Sequence, residues 1–162
     1  PRGGDPMPDA LTDAQRQAYC LQALARHLAL NPGLPGVVVS PPHRGQRVRV
    51  QISSLRDDLH NIIAWAATLG VETLVVSRGR ELDGHGQFCN LHVHGRLTGY
   101  LMPGHGYSIG LDVWDGADEL KPSTLADGDT IAISDLVTAS ALGTDLSTAL
   151  ATVRGHGGGD GR

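Results

Sequence analysis

The chain has 162 residues, a formal charge of −4, 40% hydrophobic and only 4% aromatic residues. It is long enough to bury one core, built mostly from Leu, Val, Ile and Ala. The acidic balance argues against a protein whose whole surface grips nucleic acid. Two cysteines, Cys20 and Cys89, are too few for a secreted disulfide scaffold and read as free buried thiols. No apolar run approaches the roughly 20 residues of a membrane span, and no charged n-region leads into an apolar stretch, so the expectation is a cytoplasmic protein with no membrane partner.

Charge is uneven along the chain. Residues 36–110 hold seven Arg against five Asp/Glu, whereas residues 111–162 hold three basic and nine acidic groups. A mildly basic middle followed by an acidic end is compatible with a local anion-binding face or with intramolecular pairing. The Gly/Pro-rich ends, 1–10 and 154–162, are expected to be disordered and to flank a single domain over 11–153, with its core in 12–114 and an appendage in 115–153.

The first predicted element is a helix over Asp13–Leu30. Thr12 with Gln15 makes a capping box, Ala14, Ala18, Leu21, Leu24 and Leu28 form a helical stripe, and Asn31-Pro32-Gly33 ends it. Val37–Ser40 reads as a strand, Pro41–Gly45 as a turn and Gln46–Ser53 as the returning strand. There Val48, Val50 and Ile52 alternate with Arg47, Arg49 and Gln51, giving one apolar and one basic face. A second helix, Leu55–Leu69, is capped by Ser53 or Ser54 and ended by Gly70. Val71–Ser77 is the next strand, and Arg78–Gly86 a polar loop.

The stretch Gly86–Trp114 then carries the clearest alternation. Leu91, Val93 and Leu97 share one strand face with Gly95, while His92, His94 and Arg96 share the other. Met102-Pro103-Gly104-His105-Gly106 reverses the chain into a strand over Tyr107–Trp114. A turn centred on Gly104 would set Leu97 opposite Leu111, Arg96 opposite Asp112 and His94 opposite Trp114. Asp115–Thr124 reads as loop, Asp127-Gly128-Asp129 as a turn and Thr130–Ile133 as a short apolar segment. Asp135–Leu142 and Thr144–Val153 read as short helices that must pack on the main body. The order predicts an α+β two-layer domain: a mainly antiparallel sheet, two amphipathic helices on one face, the other face open.

Two groups of residues carry candidate chemistry. His92 and His94 on one strand aim two imidazoles the same way, which suits zinc if one or two further donors join from His85, Cys89 or His105. Cys89 has the opposite parity and would need a bulge near Asn90 to reach them. A likeness to the first cupin motif stops at His-x-His, because Arg96–Met102 contains no acid. The alternative is a pair of solvated strand histidines.

The second group is the polar face itself: Arg47, Arg49 and Gln51 with His92, His94 and Arg96. Such a face can read phosphates or base edges and receive a single strand. Against this, the cations are few and no aromatic stacking residue interleaves with them, and a solvated face balanced by Asp112 and neighbouring acids is the plain alternative. Other chemistry is weaker still. Asp57-Asp58-x-His60 opens a helix, where acids suit the dipole. Gly106-Tyr107-Ser108-Ile109-Gly110 matches G-x-S-x-G but begins a strand with no helix after it, and no phosphate-loop spacing is present.

The Leu-rich first helix ending in Asn31-Pro32-Gly33-Leu34-Pro35, the strand Val48-Arg49-Val50-Gln51, the helix with Ala64-Trp65-Ala66-Ala67-Thr68-Leu69-Gly70 and the closing Leu111-Asp112-Val113-Trp114 together resemble a loosely defined set of small actinobacterial and phage or plasmid accessory proteins. The resemblance implies fold and setting without a catalytic signature. The resulting expectation is a non-catalytic binding or regulatory module, compatible with a homo-oligomer, that meets a protein or nucleic-acid partner through the open face. The alternative expectation is a zinc-binding domain centred on His92 and His94, with a metal-dependent hydrolase as its catalytic form.

Overall fold

A computed structural model describes residues 11–40, 47–52, 59–80, 86–101, 108–117, 120 and 125–157. Within them lie helices α1 (Asp13–Leu30), α2 (Leu59–Leu69), α3 (Ile133–Ala141) and α4 (Leu146–Gly157), and strands β1 (Val37–Ser40), β2 (Val48–Ile52), β3 (Thr73–Arg80), β4 (Gln87–Leu101), β5 (Ser108–Gly116) and β6 (Thr130–Ala132). The strands form one mixed sheet in the order β1-β2-β5-β4-β3-β6. The expected α+β two-layer architecture is the one observed.

Helix α1 has the predicted bounds, and its capping box closes: Gln15 N donates to Thr12 Oγ1 at 3.2 Å, and Thr12 N to Gln15 Oε1 at 2.9 Å. Its buried stripe differs from expectation. Cys20, Ala23 and Leu24 enter the core, with Tyr19 and Leu28 partly buried, while Leu21 is exposed, as are Ala14 and Ala18. Leu24 and Leu28 belong to both stripes, and the sheet selects the one rotated toward Cys20.

Helix α2 ends as predicted on Gly70, at φ 64°, a left-handed conformation that costs glycine little. Its expected start at Leu55 and its serine cap lie outside the described residues. Ile62, Trp65 and Ala66 are fully buried. Gly95, in the middle of β4, is what lets this helix come so close: a Cβ there would meet Leu69 Cδ1 at 2.9 Å and Leu69 Cβ at 3.1 Å.

The sheet is mainly antiparallel, with β2 and β5 as a central parallel pair. A helix between β2 and β3 allows those two strands to run the same way, and β4 then β5 fill the gap back toward β2. Strand β3 runs on to Arg80, which pairs with Gln87, so 78–80 is strand where the sequence suggested loop. Ser77 and Gly79 lack apolar side chains, and Gly79 lies beneath the Phe88 ring. The strand therefore continues without alternation.

The β4–β5 register is two residues away from the expected one: Leu97 faces Ile109, Gly95 faces Leu111, His94 faces Asp112 and His92 faces Trp114. The predicted Leu97–Leu111, Arg96–Asp112 and His94–Trp114 pairs are thereby corrected. Two residues is one full pleat, so every side chain keeps the face its alternation assigned. The turn at 102–106 lies outside the described residues.

The C-terminal elements belong to the core. Gly128, at φ 82°, turns the Asp127–Asp129 segment, which hydrogen-bonds to both backbone groups of Val76 and leads into β6. Arg78 donates to the carbonyls of Leu120 and Leu125, each at 2.6 Å, fixing buried Leu120 and Leu125 against the domain. Leu136, Ala139, Ala149 and Leu150 are buried in the same hydrophobic cluster. Helix α4 extends to Gly157, so 154–157 continues a helix where a tail was expected. Among the described residues, no single helix is long and apolar enough to cross a membrane.

Candidate functional site on the open sheet face

Alternation sorts the sheet into two faces. Val48, Val50, Ile52, Leu91, Val93, Leu111 and Val113 are buried on one; Arg47, Arg49, Gln51, His94 and Arg96 are exposed on the other. The observed registers arrange that second face as three rows crossing β2, β5 and β4. Arg49, Asp112 and His94 make the central row, and Gln51, Trp114 and His92 the row beside it. Gly110 pairs with Arg96, and the stem of Arg47 crosses above Gly110, where a Cβ would meet its Cγ at 2.9 Å. The absence of a side chain at Gly110 gives that arginine its path.

Asp112 is the centre of the arrangement. It is 7% exposed although it stands on the polar face. Its Oδ1 accepts from His92 Nδ1 at 2.8 Å and lies 3.4 Å from His94 Nε2; its Oδ2 lies 3.6 Å from Arg49 Nε. Burial alone would raise the carboxyl's pKa, but the hydrogen bond from His92 and the favourable charge interactions with His92, His94 and Arg49 outweigh it and hold Asp112 below the ordinary carboxylate range. The carboxylate is therefore ionised at neutral pH, and His92 Nδ1 is the donor of the hydrogen bond to it.

His94 moves the other way. Burial lowers its pKa first; Asp112 pulls it up, but Arg47 and His92 add to the lowering. At neutral pH it is an uncharged imidazole. The two rings meet edge to face at 5.9 Å between centroids, and His92 stacks on Trp114 at 6.3 Å. His92 Nε2 is out of solvent and has no hydrogen-bond partner among the described residues.

The structure thus brings together His92, His94, Arg49 and Asp112, with Arg47, Gln51 and Arg96 on the same face. Cys89 is not among them: it is 2% exposed in the hydrophobic core, on the face its parity dictates, and no bulge at Asn90 turns it round. Cys20 is likewise buried, and burial raises the pKa of its thiol. His85 and His105 lie outside the described residues. Sequence reasoning paired Asp112 with Arg96 and Trp114 with His94, which puts both on this face, but it missed Asp112 as the organiser and counted no aromatic among the site residues. The signal for both was alternation, which puts them on the same side of β5.

No protein-family model matches the chain, and no curated protein or solved structure matches it.

Proposed function

We propose that this chain is a non-catalytic binding module that takes single-stranded nucleic acid across the open face of its sheet, in the accessory or regulatory setting implied by its sequence resemblance. The observation that carries this reading is the position of Trp114. Its half-buried indole stands between Gln51 and His92, one row from Arg49 and His94. Single-strand binders combine cations that track the backbone with aromatic rings on which bases stack, and Trp114 supplies the ring beside the arginine rows. Arg47 and Arg49 are exposed on the neighbouring strand, and Gln51 offers both a donor and an acceptor to a base edge. The net negative charge of the whole chain then confines binding to this face.

The test is fluorescence anisotropy with labelled single-stranded DNA and RNA, with duplex as control, over a range of salt concentrations. Trp114→Ala should cost about 1–3 kcal/mol of affinity, the worth of one stacked base. Arg47→Ala and Arg49→Ala should each make the salt slope shallower by about 0.7, one phosphate contact on a single strand. Binding that is absent, or that ignores salt and Trp114, would exclude nucleic acid and leave a protein partner for this face.

A further inference from the structure

We infer that His92, His94 and Asp112 form a binding site for a divalent transition-metal ion of zinc's class, independent of whether the face takes nucleic acid. One donor atom from each residue lies within 4.8 Å of those of the other two. The shorter separations, 2.8 Å from His92 Nδ1 and 3.4 Å from His94 Nε2 to Asp112 Oδ1, bracket the spacing of about 3.3 Å that donors around a tetrahedral zinc must have, given bond lengths of about 2.0–2.1 Å.

Two imidazole nitrogens and one carboxylate oxygen select a borderline ion such as Zn2+ over Mg2+ or Ca2+, which prefer oxygen alone. The chain sets the donors in place before any ion arrives. His92 and His94 are two residues apart on β4, and Asp112 is directly opposite His94 on β5, so the ladder of a central strand pair fixes all three. Asp112 is ionised, and His94 is 42% exposed at its side chain, so the donor set can be reached from solvent.

Binding exchanges one interaction for another. The His92 Nδ1–H···Oδ1 bond gives way to two bonds to the ion, and the proton leaves Nδ1, for Nε2 or for solvent, so that the nitrogen's lone pair is free to bind. Arg49 is a competitor in this exchange: its guanidinium is 3.6 Å from Asp112 Oδ2 with a side chain 61% exposed. A long cation held loosely over the carboxylate repels an incoming dication, but it can swing into water at little cost.

The experiment is calorimetric titration of full-length untagged protein with Zn2+, and optical titration with Co2+. Wild type should bind one equivalent and develop visible cobalt bands. His94→Ala, which changes an exposed side chain and leaves the core intact, should weaken binding by at least about ten-fold, as should Asp112→Asn; loss of even an outer partner of a metal site commonly costs ten- to a hundred-fold. His60→Ala, on α2, should bind as wild type does. Arg49→Ala should bind about two- to five-fold more tightly, the worth of an exposed ion pair. Absence of stoichiometric binding, undiminished affinity in His94→Ala, or an affinity in Arg49→Ala that fails to rise would overturn the assignment. These readouts contain no nucleic acid, so they stand or fall separately from oligonucleotide binding.

Discussion

The two faces of the sheet are built from the same strands yet held by different physics. On the helix-covered face Val50, Val93, Leu111 and Val113 are fully buried, and each contributes through area removed from water, about 1.5–3 kcal/mol for a side chain of this size. On the other face, one residue along each strand, a buried carboxylate is stabilised by imidazoles and an arginine. The first kind of contact tolerates any well-fitting hydrocarbon. The second depends on specific donors, because a buried charge without partners is costly. The face that builds the fold and the face that has chemistry are therefore separable by mutation.

The largest effect should come from the covered face. Leu111→Ala removes a fully buried side chain at the centre of β5, beside Gly95 and Val48. It should lower unfolding free energy by about 2–5 kcal/mol, the range for a core leucine replaced by alanine. Urea denaturation is the measurement. A loss below about 1 kcal/mol would show that this face is not the core.

Much of that covered face was legible in the chain. Thr12 and Gln15 announced the start of α1, and Gly70 the end of α2, because caps are local chemistry. Alternation in β2 and β4 assigned each residue to its face. What local pattern could not supply was register and partnership. A pleat repeats every two residues, so sliding β5 by two keeps all faces and changes all neighbours. The slide moved Asp112 from Arg96 to His94, and with it the identity of the site. The parallel pairing of β2 with β5 brings together residues more than 60 apart, as Val48 and Leu111 show, and no periodicity encodes that. In α1, two overlapping apolar stripes share Leu24 and Leu28, and only packing decides between them.

An intermediate effect is expected at the centre of the polar face. Asp112→Ala deletes the acceptor for His92 Nδ1, whose ring is almost out of solvent, with a side chain 12% exposed. Leaving that donor unsatisfied should cost about 1–3 kcal/mol. Asp112→Asn retains an acceptor oxygen and should cost less. Equal loss in the two variants would mean that charge, rather than the hydrogen bond, is what His92 requires.

The smallest effect separates the faces by pH. Among the described residues, each face holds one histidine whose pKa is lowered. His27 lies against the covered side, stacked on Trp65 at 5.6 Å between centroids, and burial alone lowers it. Thr68 Oγ1 donates its only proton to the carbonyl of Trp65, so His27 Nε2 must be the donor in its 3.0 Å contact with Thr68. His94 is lowered by burial too, but Asp112 opposes the shift and its side chain is 42% exposed. A histidine with a lowered folded pKa binds its proton more readily when unfolded. Stability should therefore decline as pH falls through the ordinary histidine value of 6.5 toward the lowered one, and level off below it. Asp112, lowered from 3.8, adds a second loss only at more acid pH, as its folded pKa is reached. Comparing denaturation midpoints at neutral pH and just below the histidine range should show His27→Gln removing the covered face's share of the first decline and His94→Gln the polar face's, where Asp112 opposes the effect of burial and Arg47 and His92 reinforce it. A decline left unchanged by either variant would show that histidine to be as readily protonated in the folded protein as in the unfolded chain.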